Sequence, residues 1–221
     1  MSNLDASMDT MEHSRFSAIY GPVIKKLTAC TELNTQEVTC LMLIYYKFVK
    51  MNGPLARKMM KKQMYQVFLS LFNVGSFKVA ERTLNTITKD VKYISPEAWI
   101  SLFEIFTTNN LEMRMRFAFA VYNTKGTDVI DREQVGVACE AFFHGDDEEE
   151  VNELKLDMTE FIMKKFDLDK DGVISYEDYS TVVTRQPVLV DFLGYLFPPR
   201  DVKNLMAHCI NFDTILSSLI M

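Results

Sequence analysis

The chain has 221 residues, 48% of them hydrophobic and 12% aromatic, which suffices to bury the core of one large or two small domains and excludes a disordered chain. Its formal charge of −6 is unevenly divided: residues 1–110 carry 13 Lys and Arg against 9 Asp and Glu, and residues 111–221 carry 11 against 21. Neither half is basic enough to argue for nucleic acid, and no run approaches the roughly 18 apolar residues of a membrane span.

In chain order, residues 1–14 are polar and expected to be disordered, and Ser2 stands where N-myristoylation needs a glycine. Cys30, Cys40, Cys139 and Cys209 lack CxxC or Cys/His ligand spacing, so they read as buried or surface thiols in a reducing, cytoplasmic compartment. Thr35-Gln36-Glu37 reads as a helix start with Thr35 as N-cap, opening an apolar stretch over 38–49 that Asn52-Gly53-Pro54 breaks. A basic cluster, Arg57, Lys58, Lys61 and Lys62, suits an acidic partner, or is simply a solvated loop and helix face. The next helix, 61–74, carries Met64, Val67, Phe68, Leu71 and Phe72 as a stripe.

A helix over 77–86 then leads into a loop at 87–98 with Ile94 in its eighth position, and Trp99 follows that loop. Phe119 and Tyr122 precede a further loop at 123–134, with Ile130 again eighth. Residues 145–150 are acidic and read as a solvated linker and first helical turn. Val151, Leu154, Met158, Ile162 and Phe166 run at helical spacing into residues 167–178, and Tyr179, Val182 and Val183 continue a helix until Pro187 stops it. Most of the 14 methionines read as core filler.

The loop at 167–178 explains the others. Asp167, Asp169 and Asp171 occupy positions 1, 3 and 5 of a twelve-residue metal loop; Val173 offers its carbonyl at 7, Ser175 stands at 9 and Asp178 at 12. Gly172 falls at position 6, where the chain turns sharply, and Ile174 at position 8 is placed to pair with a partner loop. This is the EF-hand pattern, with one departure. Position 12 is normally a bidentate Glu, and Asp178 is one methylene shorter, so Ca²⁺ binding is expected to be weakened with Mg²⁺ as a competitor. Loop 123–134 keeps the frame but has Asn123, Lys125, Thr127 and Gln134 at positions 1, 3, 5 and 12, and is expected to bind no metal. Loop 87–98 retains almost no ligands, and the 38–74 helix pair has none.

The expected fold is therefore all-α: an EF-hand protein of four helix-loop-helix units in two lobes, with short paired loop strands. Boundaries are placed at a disordered 1–14, an N-terminal lobe over 15–110, a C-terminal lobe with the intact loop over 111–186, and tail helices over 187–221. The expected cofactor is one Ca²⁺ or Mg²⁺ on Asp167, Asp169, Asp171, Val173, Ser175 and Asp178.

Ile24–Leu27, Glu37–Leu41, Tyr46–Val49, Trp99, the Phe119-to-Tyr122 approach, the Asp-terminated last loop and the tail Leu189–Gly194 with Leu196–Pro198 together resemble the calaxin family of ciliary and flagellar EF-hand calcium sensors. That resemblance, over roughly residues 22–212, implies attachment to outer dynein arms or their docking-complex coiled coils on the doublet microtubules of the axoneme, in motile cilia or sperm flagella. It depends on fold and docking surface, because the family's earlier ligand-bearing loops correspond here to 87–98 and 123–134, both stripped of ligands. The tail after Pro198 is expected to cover a groove or contact a partner. The alternative is a soluble Ca²⁺/Mg²⁺ sensor acting on a kinase, phosphatase or channel. No nucleotide, nucleophile-elbow or HExxH motif is present, so no enzymatic activity is expected, nor nucleic-acid or membrane partners.

Overall fold

A computed structural model describes residues 8–71, 77–143, 145 and 147–198. Cys209, the tail from 199 on, and the last residues of the helix expected to reach Val74 lie outside them. Among the described residues the helices are α1 (Thr10–Cys30), α2 (Thr35–Met51), α3 (Lys61–Leu71), α4 (Phe77–Ile87), α5 (Pro96–Thr107), α6 (Leu111–Tyr122), α7 (Arg132–Cys139), α8 (Glu148–Phe166) and α9 (Tyr176–Arg185). Short strands β1 (Met59–Met60), β2 (Tyr93–Ile94), β3 (Val129–Asp131) and β4 (Val173–Ser175) lie in the loops. They pair antiparallel as β1–β2 and β3–β4. This is the expected all-α EF-hand architecture with paired loop strands.

Helix starts are set by side-chain caps that satisfy otherwise orphaned N–H groups. The cap of α2 is Asn34, one residue before the expected Thr35, because Asn34 forms a reciprocal box with Glu37. α1 begins inside the stretch expected to be disordered: the Asp9 carboxylate accepts from Glu12 N–H at 2.7 Å, and Phe16, Tyr20, Ile24 and Leu27 are buried at helical spacing. Residues 1–7 lie outside the described residues.

The contacts group the chain into two units, the first holding α1, α2, β1, α3, β2 and α5, the second α4 and residues 108–197. In the first, Tyr45 ties the strand pair together: its hydroxyl donates to the Ile94 carbonyl at 2.8 Å and accepts from Met59 N–H at 3.4 Å. Trp99 is buried against Phe103, with ring centroids 4.6 Å apart, and its indole N–H donates to the Leu41 carbonyl at 3.0 Å. A large apolar ring with its one polar atom satisfied is a stable anchor for α5 on α2. The loop between α4 and β2 is held by Asp90, whose carboxylate accepts from Lys92 and Tyr93 N–H, both at 2.9 Å, where a metal loop would use an ion. The basic cluster is not one free face: Lys58 lies 3.6 Å from Asp90, and Lys61 is buried.

In the second unit the register Ile130↔Ile174 joins the eighth positions of the two loops, both fully buried. The sequence frame assigned α4 to the same lobe as α5, whereas its contacts place it here: Lys78 Nζ lies 3.9 Å from Glu140, and a methyl group at Gly194 would stand 3.9 Å from Val79 and Phe142.

A 3₁₀ turn, Pro187–Asp191, follows α9 where tail helices were expected, and the chain then runs without helix to Pro198. Val190, Leu193, Leu196 and Phe197 are buried, and Phe192 packs on Phe166 with centroids 4.2 Å apart. Tyr122 and Tyr179 donate their hydroxyls to the Gly194 and Val190 carbonyls at 2.7 and 3.0 Å. Residues 187–198 thus cover the apolar interior of this lobe; the stretch after Pro198 that was expected to cover a groove or contact a partner lies outside the described residues.

Asp191 is carried in with that segment, and burial pushes its carboxyl up to about 6, opposed by Arg114 and by the N–H groups of Phe197 and Leu196. Raised above its unfolded value of about 3.9, it favours the folded state most below about pH 4, and that contribution is lost as pH rises through about 6. Asp191→Asn keeps an acceptor for the two N–H groups without the charge. It is expected to raise stability by about 1–2 kcal/mol at pH 7.5 and little at pH 4. Urea midpoints at the two pH values check this, and equal shifts at both would show that the carboxylate charge is not the cause.

Candidate metal centre

The centre is built between the end of α8 and the start of α9. α8 stops at Phe166 because the chain must turn through Asp167 to Gly172, and two residues there take positive φ: Lys170 at 63° and Gly172 at 89°. The second is the turn that the glycine at position 6 was expected to make. β4 then carries Ile174 into the core, and Ser175 caps α9.

This geometry brings Asp167, Asp169 and Asp171 together, one oxygen from each lying within 4.8 Å of the others. Backbone N–H groups orient them. Asp171 and Gly172 N–H donate to the two Asp167 oxygens at 3.1 and 3.0 Å, Asp171 N–H is also 3.2 Å from Asp169, and Val173 N–H donates to Asp171 at 2.9 Å. At Asp169 the largest single influence, the Asp171 N–H, lowers the carboxyl's pKa. Burial and the charges of Asp171, Asp178 and Asp167 outweigh it and leave it raised. Mutual repulsion among carboxylates is what a divalent cation relieves, and hard oxygen donors suit Ca²⁺ or Mg²⁺.

Asp178 and Ser175 are placed differently. Asp178 is buried, but one of its oxygens accepts from Ser175 N–H at 3.1 Å and from Ser175 Oγ at 2.6 Å, while its own N–H donates back to Ser175 Oγ at 3.1 Å. The oxygens of positions 9 and 12 are engaged with each other in a capping box. The donor set fits a hard divalent ion at its first three carboxylates and is short of reach at its last.

The partner loop, 123–134, shows what replaces a metal. Lys125 Nζ lies 2.5 Å from Asp131 and 2.6 Å from Glu133, with the pKa of Asp131 lowered first by that hydrogen bond. Gln134 Nε2 reaches Thr124 Oγ1 at 3.2 Å and Asn123 Oδ1 at 3.4 Å, and the Asn123 amide donates to the Thr127 carbonyl. A tethered ammonium and two side-chain amides thus close a loop that elsewhere closes on an ion. The lysine at position 3 facing acids at positions 9 and 11 was a signal in the sequence, although its reading stopped at the loss of ligands.

The C-terminal half of the chain matches the EF-hand domain pair family over residues 112–184. Calaxin of Xenopus laevis is 27% identical over 175 residues, which is 77% of this chain and 83% of that protein. Calaxin of Homo sapiens is 25% identical over 184 residues, 80% of this chain and 85% of the other. Calaxin of Danio rerio is 28% identical over 138 residues, 62% of this chain and 65% of its own length, just under two thirds.

Proposed function

We propose that this chain, similar to calaxins over most of its length and to the EF-hand domain pair over residues 112–184, is a diverged calaxin-like EF-hand protein and a non-enzymatic component of the axoneme, attached to outer dynein arms or their docking-complex coiled coils in cilia or sperm flagella. The similarity to calaxins over most of the chain carries this reading, because it extends well beyond the EF-hand pair itself. One Ca²⁺ or Mg²⁺ is held chiefly by Asp167, Asp169 and Asp171; the Val173 carbonyl, Ser175 and Asp178 are the remaining candidate donors, the last two engaged with each other in the capping box. The ion supplies charge neutralisation at one end of the β3–β4 pair; the rest of the lobe is held by protein groups. Lys125 holds the partner loop closed. Metal therefore tunes a largely structural part. A soluble sensor would need cooperative loops and a free groove, and the ligand-poor partner loop and the covering 187–198 segment favour the scaffold.

Detergent extraction of motile ciliated cells expressing the tagged chain tests this. The protein is expected to stay with demembranated axonemes in both Ca²⁺ and chelator. Complete release into the soluble fraction would overturn the attachment and favour the sensor.

A further inference from the structure

Helix α8 is longer than its lobe requires. Its buried residues are Thr159, Ile162, Met163 and Phe166, all in the second half. The stripe expected from the sequence to be core is therefore only partly so: Leu154 is 42% exposed, and Val151 and Met158 are half-buried. Phe161, on the same outer face as Leu154, is 66% exposed. Leu154, Met158 and Phe161 follow i, i+4, i+7 spacing, so they form one apolar line along the outside of α8. Beside it, Glu150, Glu153 and Asp157 form a second exposed line at i, i+3, i+7. Among the described residues, 187–198 already cover the apolar interior of the lobe.

An apolar seam at heptad spacing with charged positions alongside is the pattern by which one helix takes another in a coiled coil. From this juxtaposition we propose that the outer face of α8 docks a basic amphipathic helix, whose apolar seam covers Leu154, Met158 and Phe161 and whose lysines or arginines meet Glu150, Glu153 and Asp157. The inference names the face used in the coiled-coil attachment proposed above and rests on that reading for the partner in the cell. Carboxylates over about two successive turns select a basic helix against an acidic one by like-charge repulsion. They also make the encounter sensitive to salt. With few apolar anchors the contact is weak by itself, and in an assembly it gains from the other attachments of the partner.

The test uses a labelled synthetic peptide of four heptads, Leu at both seam positions and Lys at the flanks, which self-repulsion keeps single. A second peptide has Glu in place of Lys. Anisotropy titrations with the full chain are expected to show binding of the Lys peptide, weakened at least about tenfold in the Leu154→Ser/Phe161→Ser variant and again by added salt. Both residues are exposed, so the variant is expected to keep its circular dichroism and thermal midpoint. Absence of Lys-peptide binding, equal binding of the Glu peptide, or an unchanged affinity in the variant would each overturn the proposal. Sedimentation showing a dimer that the variant abolishes would also overturn it, in favour of a second copy on this face. Extraction of axonemes with the same variant separates the two readings. If the wild type is retained and the variant is retained equally, attachment stands and α8 is not its face. If the wild type is washed out, attachment fails and the peptide titration alone judges the face.

Discussion

Asp178→Glu is expected to tighten Ca²⁺ binding by at least about tenfold, or about 1.4 kcal/mol, by adding the reach of a bidentate final ligand. The argument begins with what Asp178 does in the wild type. One oxygen of its carboxylate is engaged by Ser175, 2.6 Å from the hydroxyl, and the clustered Asp167, Asp169 and Asp171 stand without it. One more methylene lets the carboxylate extend toward the other three. The cost at the helix end is small, because a Ser followed three residues later by Glu is itself a good capping box. The gain is expected to be greater for Ca²⁺ than for Mg²⁺, since the larger ion takes the extra oxygen and Mg²⁺ resists more than six. Calorimetric titrations of wild type, Asp178→Glu and Asp167→Ala, with and without about millimolar Mg²⁺, measure this. Asp167→Ala is the blank, because Asp167 is both a candidate ligand and the acceptor for Asp171 and Gly172 N–H. An affinity unchanged or lowered in the Glu variant would mean that Asp178 already reaches the ion when metal is present. In that case the capping box gives way to it.

The way these residues came into view shows where sequence is informative. Gly172, Ile174 and the three aspartates were legible because each position in a metal loop has its own requirement: a turn, a buried side chain, or an oxygen. The pairing of Ile130 with Ile174 followed from counting alone. Worn loops remain legible through the same counting, which put Ile94 at the eighth position, although its strand partner Met59 was not singled out. What counting cannot supply is occupancy. Periodicity put Leu154 in one stripe with Ile162 and Phe166 and had no means of saying that it lacks a cover, and it did not single out Phe161 at all. The N-terminal stretch erred in the other direction. Its polar composition concealed a cap at Asp9 and a spaced set at Phe16, Tyr20, Ile24 and Leu27, whose burial comes from packing on α2, with Phe16 and Tyr46 rings 5.6 Å apart. The tail was hardest, because a segment with one short 3₁₀ turn carries no period, and its fate depends on the cavity it meets.

That cavity gives the second large effect. Phe192→Ala is expected to cost about 2–3 kcal/mol, below the usual range for a fully buried Phe because this ring is half-buried. Its centroid lies 4.2 Å from that of Phe166 and 5.4 Å from those of both Tyr122 and Tyr179, so truncation removes contacts to three rings together. The hydroxyls of Tyr122 and Tyr179 are then held only by carbonyls of a segment that has lost its central anchor. Local release of 187–198 thus becomes less costly than global unfolding, and the variant is expected to show two signs that a uniform loss of stability would not. Trypsin is expected to cleave after Arg185 at denaturant concentrations where α6–α9 still hold their helical signal. A dye that reports exposed apolar surface is expected to bind under the same conditions. If stability falls but cleavage and helix loss coincide, the segment is an integral part of the lobe's core and not a removable cover. If neither changes, the ring contributes nothing that its neighbours do not already provide, and the covering role assigned to 187–198 is wrong. Early cleavage with helices intact would mean that the apolar interior can be uncovered without unfolding the lobe. Displacement of residues 187–198 would then be a route for a helix into that interior, and an ion at the candidate loop would bear on it through α9, which joins the loop to that segment, and through Phe166, which precedes the loop and packs on Phe192.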